Sequence, residues 1–101
     1  MYPYGGAYSP TACNGIDFDA GALLPVGTLG TCVGGYVGLF DMSGNALEWD
    51  DTCDGPAMTD RCRLNGGSFL NTAPELRCDF VNGAPRSARF PYVGFRCCSS
   101  P

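Results

Sequence analysis

Hydrophobic and polar residues are mixed over short distances along this chain, and no long helical period emerges. No window of eleven residues both escapes Gly and Pro and keeps apolar positions at i, i+3 and i+4. One or two helical turns are predicted near Asn45 to Trp49. Short strand-like runs occur at Tyr36 to Phe40, Arg61 to Leu64, Ser68 to Leu70, Arg77 to Phe80 and Tyr92 to Cys97, each bounded by Gly, Pro, Asn or Asp. The pattern predicts a loop-rich α+β domain with a small antiparallel sheet. The pairs Gly34-Gly35, Gly44-Asn45 and Gly66-Gly67 mark sharp turns or close backbone approaches. No repeat is visible, and Ser99-Ser100-Pro101 reads as a frayed tail to a single domain over residues 1–101.

Composition explains how so irregular a chain can be stable. A domain of 101 residues buries only a modest share of its unfolded surface, and seven cysteines among 15 Gly and 8 Pro supply extra restraint. That density points to a disulfide framework and an oxidising compartment, extracellular or periplasmic. Zinc is the weaker use of these cysteines: there is no CxxC pair, no His, and the vicinal Cys97 and Cys98 are poorly suited to two corners of a tetrahedron. The odd count leaves at least one thiol unpaired or paired outside this chain, as expected of a fragment.

Charge narrows the choice of partner. The net charge of −4 sets ten acids against six arginines, and there is no lysine, so a nucleic-acid backbone would be repelled. No apolar run is long enough for a membrane span, and Met1 to Gly6 carries neither the basic nor the apolar region of a signal peptide. For an exported protein, the signal is expected to have been removed or to lie outside this sequence.

The densest chemical signal is the segment Gly38 to Asp51, where Asp41, Glu48, Asp50 and Asp51 surround a Gly-Asn turn. Hard cations select carboxylate and carbonyl oxygens, and such a turn can present Asp41 and Glu48 with the Gly44 and Ala46 carbonyls between them. The plainer alternative is a solvated acidic loop above buried Phe40, Met42, Leu47 and Trp49. Ser43, Ser68 and Ser87 have no His to activate them. Asp50 with Asp51, or Glu48 with Asp41, are carboxylate pairs for which a calcium or solvent role is more economical than acid–base catalysis. Arg96 reads as a structural arginine bonded to loop carbonyls or to Glu48, whereas Arg86 and Arg89 read as solvent-facing. Tyr2, Tyr4, Tyr8, Phe90 and Tyr92 make either a ligand-binding rim or ordinary packing.

Gly38-Leu-Phe-Asp-Met-Ser-Gly-Asn-Ala-Leu-Glu-Trp49 resembles the GLYDMxGNVWEW-type signature of the formylglycine-generating-enzyme-like (FGE-sulfatase) family. Four further blocks follow the family order: Tyr2-Pro-Tyr-Gly5 resembles YPWG, Leu24-Pro-Val-Gly27 its P-V-G turn, Arg63 to Phe69 its RGGSW block, and Gly94-Phe-Arg-Cys97 its terminal GFR block. The resemblance implies a C-type-lectin-like α+β fold. It covers the C-terminal half of the usual family domain, since the helical half that ends near an RLPTEAEWE-like segment has no counterpart.

By the same resemblance, calcium would be held by the side chains of Asp41 and Glu48 and the carbonyls of Gly44 and Ala46. Asn14 and Gly15 match the start of a second family calcium site, but Asp17 and Asp19 follow at a shorter spacing than that site's later acid. The family's oxidases bind copper through a cysteine pair just after the GGS block, because soft thiolates select Cu(I). The corresponding stretch here, Leu70 to Leu76, contains no cysteine, and the histidines of the family's iron-dependent sulfoxide synthases are absent as well. Disulfides are expected between Cys13 and Cys32, between Cys53 and Cys62, and between Cys78 and Cys97 or Cys98. These readings lead to a noncatalytic module that takes a protein or glycan ligand on a calcium- and disulfide-stabilised scaffold. A fragment of a formylglycine-generating-type oxidase and a self-associating extracellular structural subunit are the alternatives.

Overall fold

In the computed structural model, which describes residues 1–98, Gly44 and Asn45 both take positive φ, 73° and 65°. Two consecutive left-handed residues cannot start an α-helix. The segment predicted to turn helically near Asn45 to Trp49 therefore leaves the turn extended, as strand β1, Leu47–Cys53. A helix only a few residues long would also lack the length to recover its nucleation cost, whereas a strand finds partners on both sides.

Strand β2, Arg61–Asn65, pairs antiparallel with β1, placing Trp49 opposite Leu64 and Cys53 opposite Cys62. Strand β3, Asn82–Pro85, pairs antiparallel with β2, and β4, Val93–Gly94, pairs parallel with β1. The sheet order is β3-β2-β1-β4. The sheet is therefore mixed rather than antiparallel. β4 runs parallel because the chain passes from β3 back across the sheet before pairing at the far edge.

Of the strand-like runs in the sequence, Arg61 to Leu64 and the start of Tyr92 to Cys97 enter the sheet. Tyr36 to Phe40 contributes only an isolated bridge between Val33 and Phe40, and Ser68 to Leu70 and Arg77 to Phe80 form turns and bends. Backbone hydrogen bonds in these runs close local turns instead, as from Leu39 N to the Tyr36 carbonyl and from Phe80 N to the Arg77 carbonyl. Two 3₁₀ turns, Ile16–Phe18 and Ala73–Leu76, complete the regular structure. The tail assigned to 99–101 lies outside the described residues.

One side of the sheet builds an apolar core from Leu47, Leu64 and Ala84, with Trp49, Ala88, Tyr92 and Val93 against it. The loop region is held differently, by buried polar groups: Asn14, Asp41, Ser43, Asn45 and Ser68 are all buried. Met42, expected beneath the acidic loop, is exposed, because the turn at Asp41 to Gly44 carries its side chain outward. Asn45 joins three segments. Its Oδ1 accepts from Asn14 Nδ2 at 3.1 Å and Leu24 N at 2.8 Å, its Nδ2 donates to the Leu24 carbonyl, and its own carbonyl accepts from Phe69 N. Gly44 packs so closely on Asn14 that a Cβ would lie 2.7 Å from the Asn14 carbonyl oxygen, and glycine is required there on both steric and φ grounds. At Gly66, φ is 90° and a Cβ would meet the Met42 carbonyl oxygen at 2.5 Å.

Disulfides link Cys13 to Cys32, buried in the loop region, and Cys53 to Cys62, across the β1–β2 pair. The expected bridge from Cys78 to Cys97 or Cys98 is not formed, and all three are exposed thiols. Cys78 is fixed through its N–H to the Met1 carbonyl. Cys97 and Cys98 follow Arg96, whose guanidinium is anchored at Phe40, Asp41 and Glu48. Different contacts therefore place Cys78 and the Cys97-Cys98 pair, with no bond between them.

Two outcomes follow from this arrangement. Thiol titration of the folded protein without reductant should count three reactive cysteines, where the expected third bridge would have left one. Asn45→Gly keeps the left-handed backbone accessible but strands the Leu24 N–H and carbonyl, so chemical denaturation should show a loss of about 3 kcal/mol.

Candidate functional site

The Asp41 to Glu48 loop is shaped by what surrounds it. Asp41, at φ 58°, is buried, and its Oδ2 accepts from Gly27 N at 2.9 Å. Gly27 closes the Pro25 to Thr28 turn, in which Thr28 N donates to the Pro25 carbonyl. The P-V-G turn and the acidic segment, 14 residues apart in sequence, are thus fastened by this one bond.

Glu48 lies on β1 where β4 runs alongside, opposite Gly94. Two residues past Gly94, Arg96 donates from Nε to Glu48 Oε1 at 2.6 Å and from Nη2 to the Phe40 and Asp41 carbonyls at 3.0 and 3.1 Å. The structural role expected of Arg96 is thus observed, with both kinds of acceptor used at once. Burial pushes the Glu48 carboxyl above its ordinary value, the neighbouring Asp41 charge adds to this, and Arg96 only partly offsets them. Burial thus outweighs the Arg96 contact in setting the state of this carboxyl.

This bears on whether a hard cation suits the site. Among the described residues no donor is directed at the Gly44 or Ala46 carbonyl oxygen, and the Glu48 Oε2 and Asp41 Oδ1 atoms carry no hydrogen bond. Uncommitted carboxylate and carbonyl oxygens match calcium in donor type. Among the described residues no group of three or more acidic, Cys or His side chains converges, so any such site draws on backbone carbonyls.

Asn14 is oriented with unusual definition. Its Nδ2 donates to the Ala22 carbonyl and to Asn45 Oδ1, while its Oδ1 is buried with no donor. A buried carbonyl oxygen without a partner is the kind of atom a cation satisfies. The acids downstream are engaged elsewhere or turned outward: Asp17 Oδ2 accepts from the Tyr8 hydroxyl, whose pKa burial and then Asp17 push up to about 12, and Asp19 is exposed at φ 64°. Gly15's carbonyl accepts from Phe18 N within the 3₁₀ turn. Asn14 therefore joins the Asn45 network instead of meeting Asp17 or Asp19.

The stretch after Gly67 forms its own closed network. Ser68 N and Oγ both donate to Asn71 Oδ1, Asn71 Nδ2 donates to Glu75 Oε2 at 2.7 Å, and Thr72 N and Oγ1 donate to Glu75 Oε1. The Thr72 bonds, with that of Asn71, hold the Glu75 carboxyl below its ordinary value. Leu76 is buried, and its carbonyl accepts from Ser43 Oγ at 2.7 Å. Every polar side chain of this segment is committed to another, and no soft ligand is among them. Copper does not fit here.

The profile of the FGE-sulfatase family, the sulfatase-modifying factor enzyme 1-like domain, matches residues 4–101. The chain belongs to this family. No individually curated protein matched it. The signature segment of this FGE-sulfatase domain is the Asp41 to Glu48 loop, its RGGSW-like block is β2 with the Gly66-Gly67 turn, and its terminal block is β4 with Arg96. The signature segment and the terminal block, with bonded residues up to 56 apart in sequence, thus meet around one arginine. The tyrosines form a separate cluster, Tyr2 within 5.5 Å of Tyr4 and of Tyr8, while Phe90 stacks on Tyr92 at 5.2 Å. The five aromatics therefore do not form a single rim. Arg86 and Arg89 are exposed, as expected.

What sequence reasoning missed is Asn45 and the Asn71 to Glu75 network. The signal for the first was present in the Gly-Asn dipeptide, and that for the second in the Thr72-x-x-Glu75 spacing of a capping box.

The electrostatics generate a test. Because the folded pKa of Glu48 is raised, its contribution to stability is fully present below its unfolded value and is lost as pH rises through the folded one. Arg96→Gln removes the influences that lower it. The Glu48 carboxyl should then titrate at still higher pH by carbon-detected NMR, and an unchanged titration would count against the Arg96 pair as the compensating charge.

Proposed function

We propose that this FGE-sulfatase domain is a noncatalytic ligand-binding module, displaying loops on a C-type-lectin-like scaffold stabilised by calcium and disulfides. The observation that carries this reading is the closed Ser68 to Glu75 network. Where the family's oxidases place thiolates, this chain commits its side chains to hydrogen bonds among themselves. The two disulfides agree with an oxidising extracellular or periplasmic setting. No helix among the described residues is long and apolar enough to cross a membrane.

Calcium would be held by Asp41, Glu48 and the Gly44 and Ala46 carbonyls, and Asn14 Oδ1, buried without a donor, would belong to the family's second site. When bound it supplies positive charge to a half-buried carboxylate and fixes the signature loop. The protein's own residues do the rest: Arg96 ties β4 to that loop, Gly27 orients Asp41, and Asn45 holds the Asn14 and Leu24 segments in place. None of these roles involves a reacting substrate atom.

A second reading has its own supporting observation. Cys78, Cys97 and Cys98 are exposed thiols, and Tyr36, Val37 and Phe95 are exposed apolar residues, as a self-associating structural subunit would require. Non-reducing electrophoresis and sedimentation over a concentration series separate the two. A persistent monomer supports the module, and reductant-sensitive oligomers support the subunit.

Thermal unfolding in calcium and in chelator tests the leading reading. Calcium at a hundred times its Kd stabilises by about 2.7 kcal/mol, and the melting temperature should rise by roughly 10–20 °C. Glu48→Gln should remove most of that response. Incubation with Cu(I), oxygen and a Cys-containing sulfatase-motif peptide should leave the peptide cysteine unoxidised. Turnover of the peptide would establish the enzyme-fragment alternative.

A further inference from the structure

Strand β3 is one outer edge of the sheet, and an edge is where a sheet can pair with a foreign strand, because its outward N–H and C=O groups have no neighbour. The register decides which groups of β3 turn outward. Opposed residues of an antiparallel pair alternate between exchanging two backbone bonds and exchanging none. Pro85 has no N–H, so Pro85 and its opposite residue Arg61 are not an exchanging pair. The exchanging pairs are therefore Cys62 with Ala84 and Leu64 with Asn82, and the backbone groups of Gly83 and Pro85 face away from β2. The Arg61 carbonyl has the matching phase, since it accepts from the N–H of Asp54, just past β1.

None of these outward groups is open. Gly83 N–H donates to Asn82 Oδ1 at 2.8 Å, and the Gly83 carbonyl accepts from Arg61 Nη2. Pro85 has no donor to offer, and its carbonyl accepts from Ala88 N at 2.9 Å in the turn that follows the strand. Arg61 is exposed and forms no ion pair among the described residues, so its guanidinium is directed at this edge alone. It reaches the edge across Gly83, where a Cβ would lie 3.7 Å from Nη2 and 3.0 Å from the Cys62 carbonyl oxygen. A side chain longer than that of alanine would compete with the guanidinium for this space.

The flanks of β3 show what the closure guards against. Phe80 and Val81, just before the strand, and Phe90, which borders a pocket with Asn82 to Pro85, are exposed apolar residues. An open backbone beside them would offer a second strand both hydrogen bonds and apolar contact.

We propose that Arg61 and Asn82 are caps that close the β3 edge against strand pairing with a second copy of this chain. The chain's own polar side chains do here what a covering helix or loop does elsewhere, and the Arg61 charge adds repulsion between two copies brought edge to edge. The caps act independently of calcium and of the binding-module reading, because no residue of the acidic signature loop takes part. Association between copies, where it occurs, must use another surface.

The test uses the whole chain with its exposed thiols alkylated, so that both disulfides remain and no new one forms. Amide hydrogen exchange at Gly83 and sedimentation velocity over a concentration series are compared for the wild type, Asn82→Ala, Arg61→Ala and the double variant. Asn82→Ala should speed exchange at Gly83 at least tenfold, and Asn82→Asp, which keeps an acceptor in place, should restore protection. The double variant should show a concentration-dependent rise in sedimentation coefficient beyond that of the wild type, with chemical-shift changes centred on Gly83 to Pro85. Arg61→Ala, at an exposed position, should show the same rise to a smaller degree and replaces the double variant should that not fold. The proposal is overturned by unchanged Gly83 exchange in Asn82→Ala, by a folded double variant that sediments like the wild type at every concentration, by association whose shifts lie away from β3, or by wild-type self-association through β3.

Discussion

The hydrogen bonds of Asn45 are the constraint on which the rest of the loop architecture depends. A protein with little regular structure must still satisfy its buried backbone groups, and it must do so with side chains where strands and helices are absent. Asn45 does this for Leu24 in both directions, with Asn14 completing the amide pair and Phe69 donating to the Asn45 carbonyl. Its backbone N–H donates to the Asn14 carbonyl. A single left-handed residue thereby fixes the relative position of the P-V-G turn, the segment at Asn14 and the turn that follows Gly66-Gly67. A residue without that amide could fill the space but could not hold the three segments together.

Arg96 plays a comparable role at the other end of the signature segment. It ties β4, only two residues long, to Glu48 on β1 and to the carbonyls of the acidic loop. A strand of two residues contributes few backbone bonds, so its placement relies on this side chain. Charge and fold are coupled here: the arginine that positions the strand also partly neutralises the half-buried carboxylate. On the sheet's other face Arg63 forms no ion pair among the described residues, and Asp50 is bonded to Thr52 and Asn65.

Short-range signals proved the most legible. The glycine pairs marked real turns, Arg96 was recognisable from its place within an apolar block, and Cys13, Cys32, Cys53 and Cys62 were paired correctly because each pair brackets one loop. The helical turns expected near Asn45 to Trp49 gave way to the start of strand β1, Leu47–Cys53, because the local pattern there is compatible with either form. Strand β3, Asn-Gly-Ala-Pro, has almost no intrinsic strand preference and exists because the β2 edge offers it hydrogen bonds. Cys78, Cys97 and Cys98 were misassigned for a related reason, since spacing along the chain carries no information about which anchors hold each cysteine.

By itself, the sequence determined the family, two of the disulfides, the position of the turns and the residues of the acidic signature. Glycine, proline and cysteine act through local backbone geometry and covalent chemistry, and the five motif blocks are contiguous, so each can be read in place. Only the tertiary structure decided the strand order, the parallel pairing of β4, the commitment of the Leu70 to Leu76 segment to its own network, and the closure of the β3 edge by Arg61 and Asn82. These depend on which donors and acceptors meet across long separations. Whether an arginine finds a carboxylate, or an asparagine an orphaned carbonyl, is fixed by packing and not by neighbours in sequence.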